Sequence, residues 1–216
     1  YEVDTVIWFQ PGKEARTTAL HLADMGIRLL GVANGASPAI PCRYQIRREK
    51  AIRSLFASWK PQVTGRVILV EAKEQRSSSM AEIVRTTLDD LEIDWSVATY
   101  DTQRSEPFLR ELQRKKTDGI IFPSSALASR FCFRAPGAVA DLLQAHRVAF
   151  LNGPVSMPFA RVPEIQVDLV TVDWQKVADQ IVDDLISQDA FQLPGPTTFE
   201  AEAKLCVPLS DFAQSL

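Results

Sequence analysis

The stretch Val167-Asp168-Leu169-Val170-Thr171-Val172-Asp173-Trp174-Gln175-Lys176-Val177-Ala178 decides the fold. Its first half is dominated by β-branched and apolar residues, the composition of a strand. From Trp174 the apolar period changes. Trp174, Val177, Ala178, Ile181 and Leu185 recur at spacings of three and four, which predicts an amphipathic helix running to Ser187. A strand leading straight into such a helix is part of a crossover, and crossovers are what parallel strands require.

Outward from this unit the same alternation fills the chain. Val3–Phe9 reads as a strand stopped by Pro11-Gly12, and Lys13–Asp24 as a helix ending at Met25-Gly26. Ile27–Val32 is the next strand, and Arg43–Trp59 is helical in its second half, with Ala51, Ile52, Leu55, Phe56 and Trp59 on one face. Strands at Arg66–Glu71, Trp95–Tyr100, Asp118–Pro123 and Arg147–Asn152 alternate with helices at Ser79–Leu91, Glu106–Lys116 and Pro136–Ala145. The helix at Ser79 opens with the capping box Ser79-Met80-Ala81-Glu82. After the Pro-rich break Leu193–Pro196 a last strand is predicted near Ala203–Leu209. Alternation of this kind predicts an α/β protein with parallel sheets and helices on both faces. A weak internal echo, Asp4–Phe9 against Asp118–Phe122, suggests two similar lobes joined by chain crossings.

Composition narrows the function classes. The 216 residues are 46% hydrophobic and 24% charged, ordinary for a globular protein, and no apolar run reaches the roughly 18 residues of a membrane span. Twenty-four Lys+Arg against 27 Asp+Glu give a net charge of −3, so no overall basic field attracts nucleic acid. Cys42, Cys132 and Cys206 are odd in number and far apart, which predicts reduced, semi-buried thiols in a cytoplasmic protein rather than a disulfide framework or a metal knuckle. The opening at Tyr1, with no leader and an immediate strand, suggests an N-terminally incomplete sequence.

Catalytic patterns are missing. His21 and His146 have no Cys, Asp or Glu at metal-ligand spacing, and no nucleophile elbow, dinucleotide turn, phosphate loop or zinc helix occurs. The expectation is therefore no enzyme, no metal and no cofactor. The basic run Arg43, Arg47, Arg48, Lys50 and Arg53 reads as a solvated helix face, and Asp89-Asp90 and Asp183-Asp184 as solubilising pairs on outer helix faces. Strand ends carry more information, because parallel sheets bind ligands at their carboxyl edges. Gln10, Asn34, Ser124-Ser125, Asn152 and Asp173-Trp174 fall there, a set of amide and hydroxyl groups with one aromatic face that suits a sugar-like molecule. Trp174 reads equally as a stacking platform and as the first core residue of its helix.

With these residues in place the chain resembles the effector-binding domain of the LacI/GalR transcription regulators, a fold like that of the periplasmic binding proteins. Val3-Asp4-Thr5-Val6-Ile7 is similar to the family's V-D-G-[VI]-I strand, and Gly26-Ile27-Arg28-Leu29-Leu30 to its G-I-P-V-V strand. Asp118–Ser125 resembles D-[AG]-[IL]-[IF] with its following polar pair, Val148–Gly153 resembles V-V-G-[FY]-D-D, and Val167–Ala178 resembles L-T-T-V-x-Q-[DP]-x-x-x-[LM]-G. The resemblance implies residues 1–62 as the remainder of an N-terminal lobe, 63–160 as a C-terminal lobe, and 161–216 as crossover, returning helix and final strand. It also implies that a helix-turn-helix headpiece and a first βαβα unit would precede Tyr1.

Departures are specific. The family's acidic residue after G-I-P-V-V is replaced by Ala33-Asn34, its V-D-N segment falls near Arg43-Tyr44, its N-D pair becomes Ser124-Ser125 and its D-D pair Asn152-Gly153. The pocket arginine of R-x-x-G-F maps to Arg76, or to Met80 in the other register. The implied ligand set is Asn34, Arg76, Ser124, Ser125, Asn152, Asp173 and Trp174, holding a sugar or sugar derivative between the lobes. The implied partners are a second copy of the chain, and operator DNA through the headpiece alone, with no membrane. The alternative reading is a solute-binding protein of a transporter, and a small α/β enzyme is a third class for which no residue constellation is present.

Overall fold

A computed structural model describes residues 3–9, 15–34, 42–73, 79–101, 105–114, 117–134, 136–152, 165–187 and 195–208. The chain divides into two compact units, Tyr1–Arg48 with Val172–Ala201, and Glu49–Thr171 with Glu202–Leu216. It passes from one to the other at Arg48/Glu49, Thr171/Val172 and Ala201/Glu202.

Unit 1 is built on strands β1 (Thr5–Phe9), β2 (Arg28–Ala33), β3 (Cys42–Arg47) and β9 (Thr197–Glu200), hydrogen-bonded in that order and all parallel. Helices α1 (Ala15–Asp24) and α7 (Trp174–Ile186) belong to it. Gly26, at φ +75°, ends the α1 turn in the left-handed region that suits glycine. Its core joins Leu30, Val32, Tyr44, Ile46 and Phe199 of the sheet to Val177 and Ile181 of α7.

Unit 2 carries a six-stranded sheet in the order β10-β8-β7-β6-β4-β5. Its strands are β4 (Arg66–Ala72), β5 (Trp95–Tyr100), β6 (Thr117–Phe122), β7 (Arg147–Phe150), β8 (Gln166–Thr171) and β10 (Glu202–Pro208). All pair in parallel except β10, which runs antiparallel to β8 as an edge strand. Helices α2 (Glu49–Trp59), α3 (Ser79–Asp90), α4 (Ser105–Arg114), α5 (Ser125–Arg134) and α6 (Pro136–Ala145) cover it. An aromatic group forms the centre of its core: Phe131 stands 5.4 Å from Tyr100, 5.3 Å from Phe108 and 5.4 Å from Phe122.

One end of unit 2 is closed by a buried polar knot. Asp168, 2% exposed, accepts from Trp59 Nε1 at 2.6 Å, from Arg147 Nε at 2.6 Å and from the backbone N–H of Cys206 at 2.8 Å. The Arg147 guanidinium lies over the Trp59 ring at 5.4 Å. These contacts tie α2 to unit 2, so the helix that the sequence places within segment 1–62 groups with the strands that follow it.

The α/β alternation with parallel sheets is as the sequence predicts, and four local expectations change. Cys42–Arg47 is a strand, because Tyr44 and Ile46 are buried on one face while Arg47 points out, a period of two that the arginines disguise. The basic run is therefore not one solvated helix face: Arg48 is 2% exposed. Asp184 is buried at 5% rather than solubilising, since Tyr44 Oη and Gln180 Nε2 donate to it. Cys206 is exposed rather than semi-buried, because it sits at φ +51° in an irregular stretch of the edge strand β10. The side chains of Cys42 and Cys132 lie outside the described residues. No described helix is long and apolar enough to cross a membrane.

Candidate functional site

The carboxyl edge of the unit 1 sheet collects the chemistry. β1 ends at Phe9, β2 runs into Asn34, and β3 runs into Arg48; with registers Phe9↔Val32 and Val32↔Tyr44 the ends are staggered, Asn34 lying two residues and Arg48 four residues beyond the level of Phe9. Tyr44, Ile46 and Arg48 are all buried and, at spacing two, share the sheet face that α7 covers. Four strand residues span roughly 13 Å from Tyr44 to Arg48. Ten helix residues span roughly 15 Å from Asp184 back to Trp174. α7 crosses the sheet obliquely: Asp184 meets Tyr44 Oη at 3.0 Å, while Trp174 meets Phe9, which stands level with Tyr44 two strands away.

Two kinds of group meet at that edge. Arg48 Nη1 donates to Asn34 Oδ1, so a buried guanidinium braces a half-buried amide. Phe9, 54% exposed, and the half-buried Trp174 pair edge to face, with centroids 6.1 Å apart and planes at 67°. Trp174 also packs with Val172 on the unit 1 core, so one side of the residue is anchored while the pair as a whole keeps contact with solvent. An aromatic corner and an amide on one sheet edge are groups that suit a molecule with hydroxyls on its rim and a C–H face. Asp173 is the N-cap of α7, accepting from the Lys176 N–H at 3.0 Å, and is exposed.

The carboxyl edge of the unit 2 sheet has its own polar set. Ser124 and Asn152 follow the neighbouring strands β6 and β7, each two residues beyond the Phe122↔Phe150 pair, and both are half-buried. Ser124 caps α5: its Oγ accepts from the Leu127 N–H at 3.4 Å and its carbonyl from the Ala128 N–H at 3.0 Å. Lys73 and Asp101, just past β4 and β5, form an ion pair at 3.3 Å on the same edge. Ser125 begins α5, and its side chain lies outside the described residues, as does Arg76 altogether.

The structure thus brings Asn34 and Trp174 to one sheet edge, and Ser124 and Asn152 to the other. It adds Phe9, Arg48, Lys73 and Asp101, which the sequence reading does not single out. For Arg48 the signal is its place directly between the last strand residue, Arg47, and the first helical residue, Glu49. Among the described residues no group of three or more His, Cys, Asp or Glu side chains is arranged to hold a metal ion. A cavity of about 480 Å³ between α2 and α3 is lined by Glu49, Lys50, Arg53, Ser79, Glu82 and Asp90 among others. The Arg53–Asp90 ion pair at 2.9 Å belongs to its wall.

Comparison with solved structures gives a clear fold likeness. A LacI family transcriptional regulator from Arthrobacter sp. FB24 matches at a TM-score of 0.70 and 19% identity, over 94% of this chain and 77% of that one. In complex with lactose, that regulator matches at 0.69 and 18%, over 97% and 78%. A probable maltose operon transcriptional repressor from Staphylococcus aureus matches at 0.67 and 12%, over 96% and 76%. No protein-family model matches the sequence, and no curated protein matches it. At these identities the likeness establishes the fold, the two-unit α/β architecture that the LacI family regulators share.

Proposed function

We propose that this chain is the effector-sensing and dimerising part of a transcription regulator of the LacI/GalR type, and that its effector is a small sugar or sugar derivative. The observation that carries the reading is the carboxyl edge of unit 1, which bears the part-exposed Phe9–Trp174 corner and the half-buried Asn34 amide, braced by Arg48. Stacking on an aromatic face suits the C–H surface of a pyranose, and an amide suits its hydroxyls. The fold likeness supports the regulator class, and the lactose held by the Arthrobacter protein supports the ligand class. Binding acts by shifting a conformational equilibrium rather than by chemistry on the ligand. The protein works as a homodimer in the cytoplasm and reaches operator DNA through a headpiece distinct from the residues described.

A thermal-shift screen of sugars, sugar acids and nucleosides, followed by calorimetric titration of the hits, tests this. A hit should lose roughly 1–3 kcal/mol of affinity on Asn34→Ala or Trp174→Leu. A hit whose affinity ignores both substitutions overturns the site.

A further inference from the structure

We propose that Tyr44 and Asp184 are a positioning pair that sets where Trp174 stands on the unit 1 edge, an inference that rests on the effector-site reading of that edge. The Tyr44 ring is fully buried, and its Oη donates to Asp184 Oδ2 at 3.0 Å across 140 residues of sequence. Gln180 Nε2, one turn earlier on α7, holds the other carboxylate oxygen at 2.6 Å. Burial first, and then the Asp184 carboxylate, push the Tyr44 phenol well above its usual range, so the proton stays on Oη and the bond keeps its direction.

Beside this bond, α7 packs on the sheet through apolar contacts, Val177 and Ile181 against Leu30, Val32, Ile46 and Phe199. Apolar packing is non-directional, and it resists lifting the helix more than sliding it along its axis. The directional bond from Tyr44 near the end of α7 restricts that freedom. Trp174 lies ten residues towards the start of the same helix, so a slide at Asp184 is transmitted to Trp174 and changes its edge-to-face contact with Phe9. A buried carboxylate held by neutral donors is a weak source of net stability, because its hydrogen bonds must first offset the cost of taking it out of water. Register is the use that accounts for its presence on a site-bearing helix.

The test uses the full chain labelled with 5-fluorotryptophan. Its four tryptophans, Trp8, Trp59, Trp95 and Trp174, are followed by fluorine NMR, with Trp174 assigned through Trp174→Phe. Tyr44→Phe should shift and broaden the Trp174 resonance and raise its quenching by acrylamide, while Trp59 and Trp95 in unit 2 stay in place. Asp184→Asn, whose amide oxygen still accepts from the phenol, should keep the Trp174 resonance close to its original position. Ile46→Val, which thins the same core without touching the bond, should leave it unmoved. The proposal is overturned if Tyr44→Phe lowers the melting temperature without moving Trp174, or if Ile46→Val or Asp184→Asn moves it as far. No ligand enters this experiment, so its failure leaves the effector reading standing, and a failed sugar titration leaves the positioning pair standing.

Discussion

The two sheets spend their aromatic residues differently. In unit 2, Tyr100, Phe108, Phe122, Phe131 and Phe150 are almost wholly buried together, and Trp59 is sealed over a buried carboxylate. In unit 1, Phe9 and Trp174 are left half in solvent at the end of the strands, Ile7 is exposed on β1, and Val3 is exposed just before it. A ring that is already packed on every side has nothing to offer a ligand, whereas one anchored on one side only can still gain by being covered. Unit 2 is thus the source of rigidity, and unit 1 is where recognition is expected.

The largest effects should come from the knot of unit 2. Trp59→Ala removes a fully buried ring and takes one hydrogen-bond donor from Asp168. It should cost about 3–5 kcal/mol, measured by denaturant unfolding. Arg147→Met breaks the ion pair and leaves the 2%-exposed Asp168 without its cation. It should cost about 3 kcal/mol, and the double variant Arg147→Met with Asp168→Leu should recover part of that loss. Recovery would show that the penalty is the stranded charge rather than the missing contact. Gly119→Ala should be milder, about 1–3 kcal/mol, because a Cβ there would stand 2.6 Å from Trp59 Cζ3 and the ring has to move. If matching substitutions in unit 1, such as Val177→Ala, cost as much as Trp59→Ala, the contrast between the units fails.

A smaller effect depends on pH. Asp118 accepts from the backbone N–H of Gly65 and of Thr64 and from Thr64 Oγ1, and these bonds, with nearby His146, hold its carboxyl below the usual carboxylate range. A group whose pKa is depressed on folding contributes stability above its unfolded pKa and loses it as the pH falls through its folded pKa. Asp118→Asn should therefore lower the melting temperature at neutral pH, and the gap from the parent chain should close on acidification. A gap that stays constant down through the carboxylate range would contradict the assignment.

How far all this could be read from sequence follows the same division. Elements whose apolar period is uninterrupted were legible, among them β6, β8 and α7, because their burial is written locally. β3 was not, since Arg43, Gln45 and Arg47 alternate with Tyr44 and Ile46 and resemble a charged surface run. β9 was hidden behind the Pro-rich break, and its four residues pair with β3, more than 150 positions earlier. At the site, Asn34, Ser124 and Asn152 were readable because strand ends are readable. Arg48 and Asp184 were not, for the reason that a charge is judged buried only once its partner is known. The partner of Arg48 is Asn34 on the next strand, and that of Asp184 is Tyr44, 140 residues away.

The most direct test of the central claim is calorimetric titration of the full chain and its Trp174→Leu variant with the sugar or sugar acid that most raises the melting temperature. The account predicts saturable binding at one site per chain. It also predicts a loss of roughly 1–3 kcal/mol of affinity in Trp174→Leu, with the melting temperature of the unliganded variant nearly unchanged. Equal affinity in both proteins would contradict it, because the ligand would then be held somewhere other than the aromatic edge of unit 1.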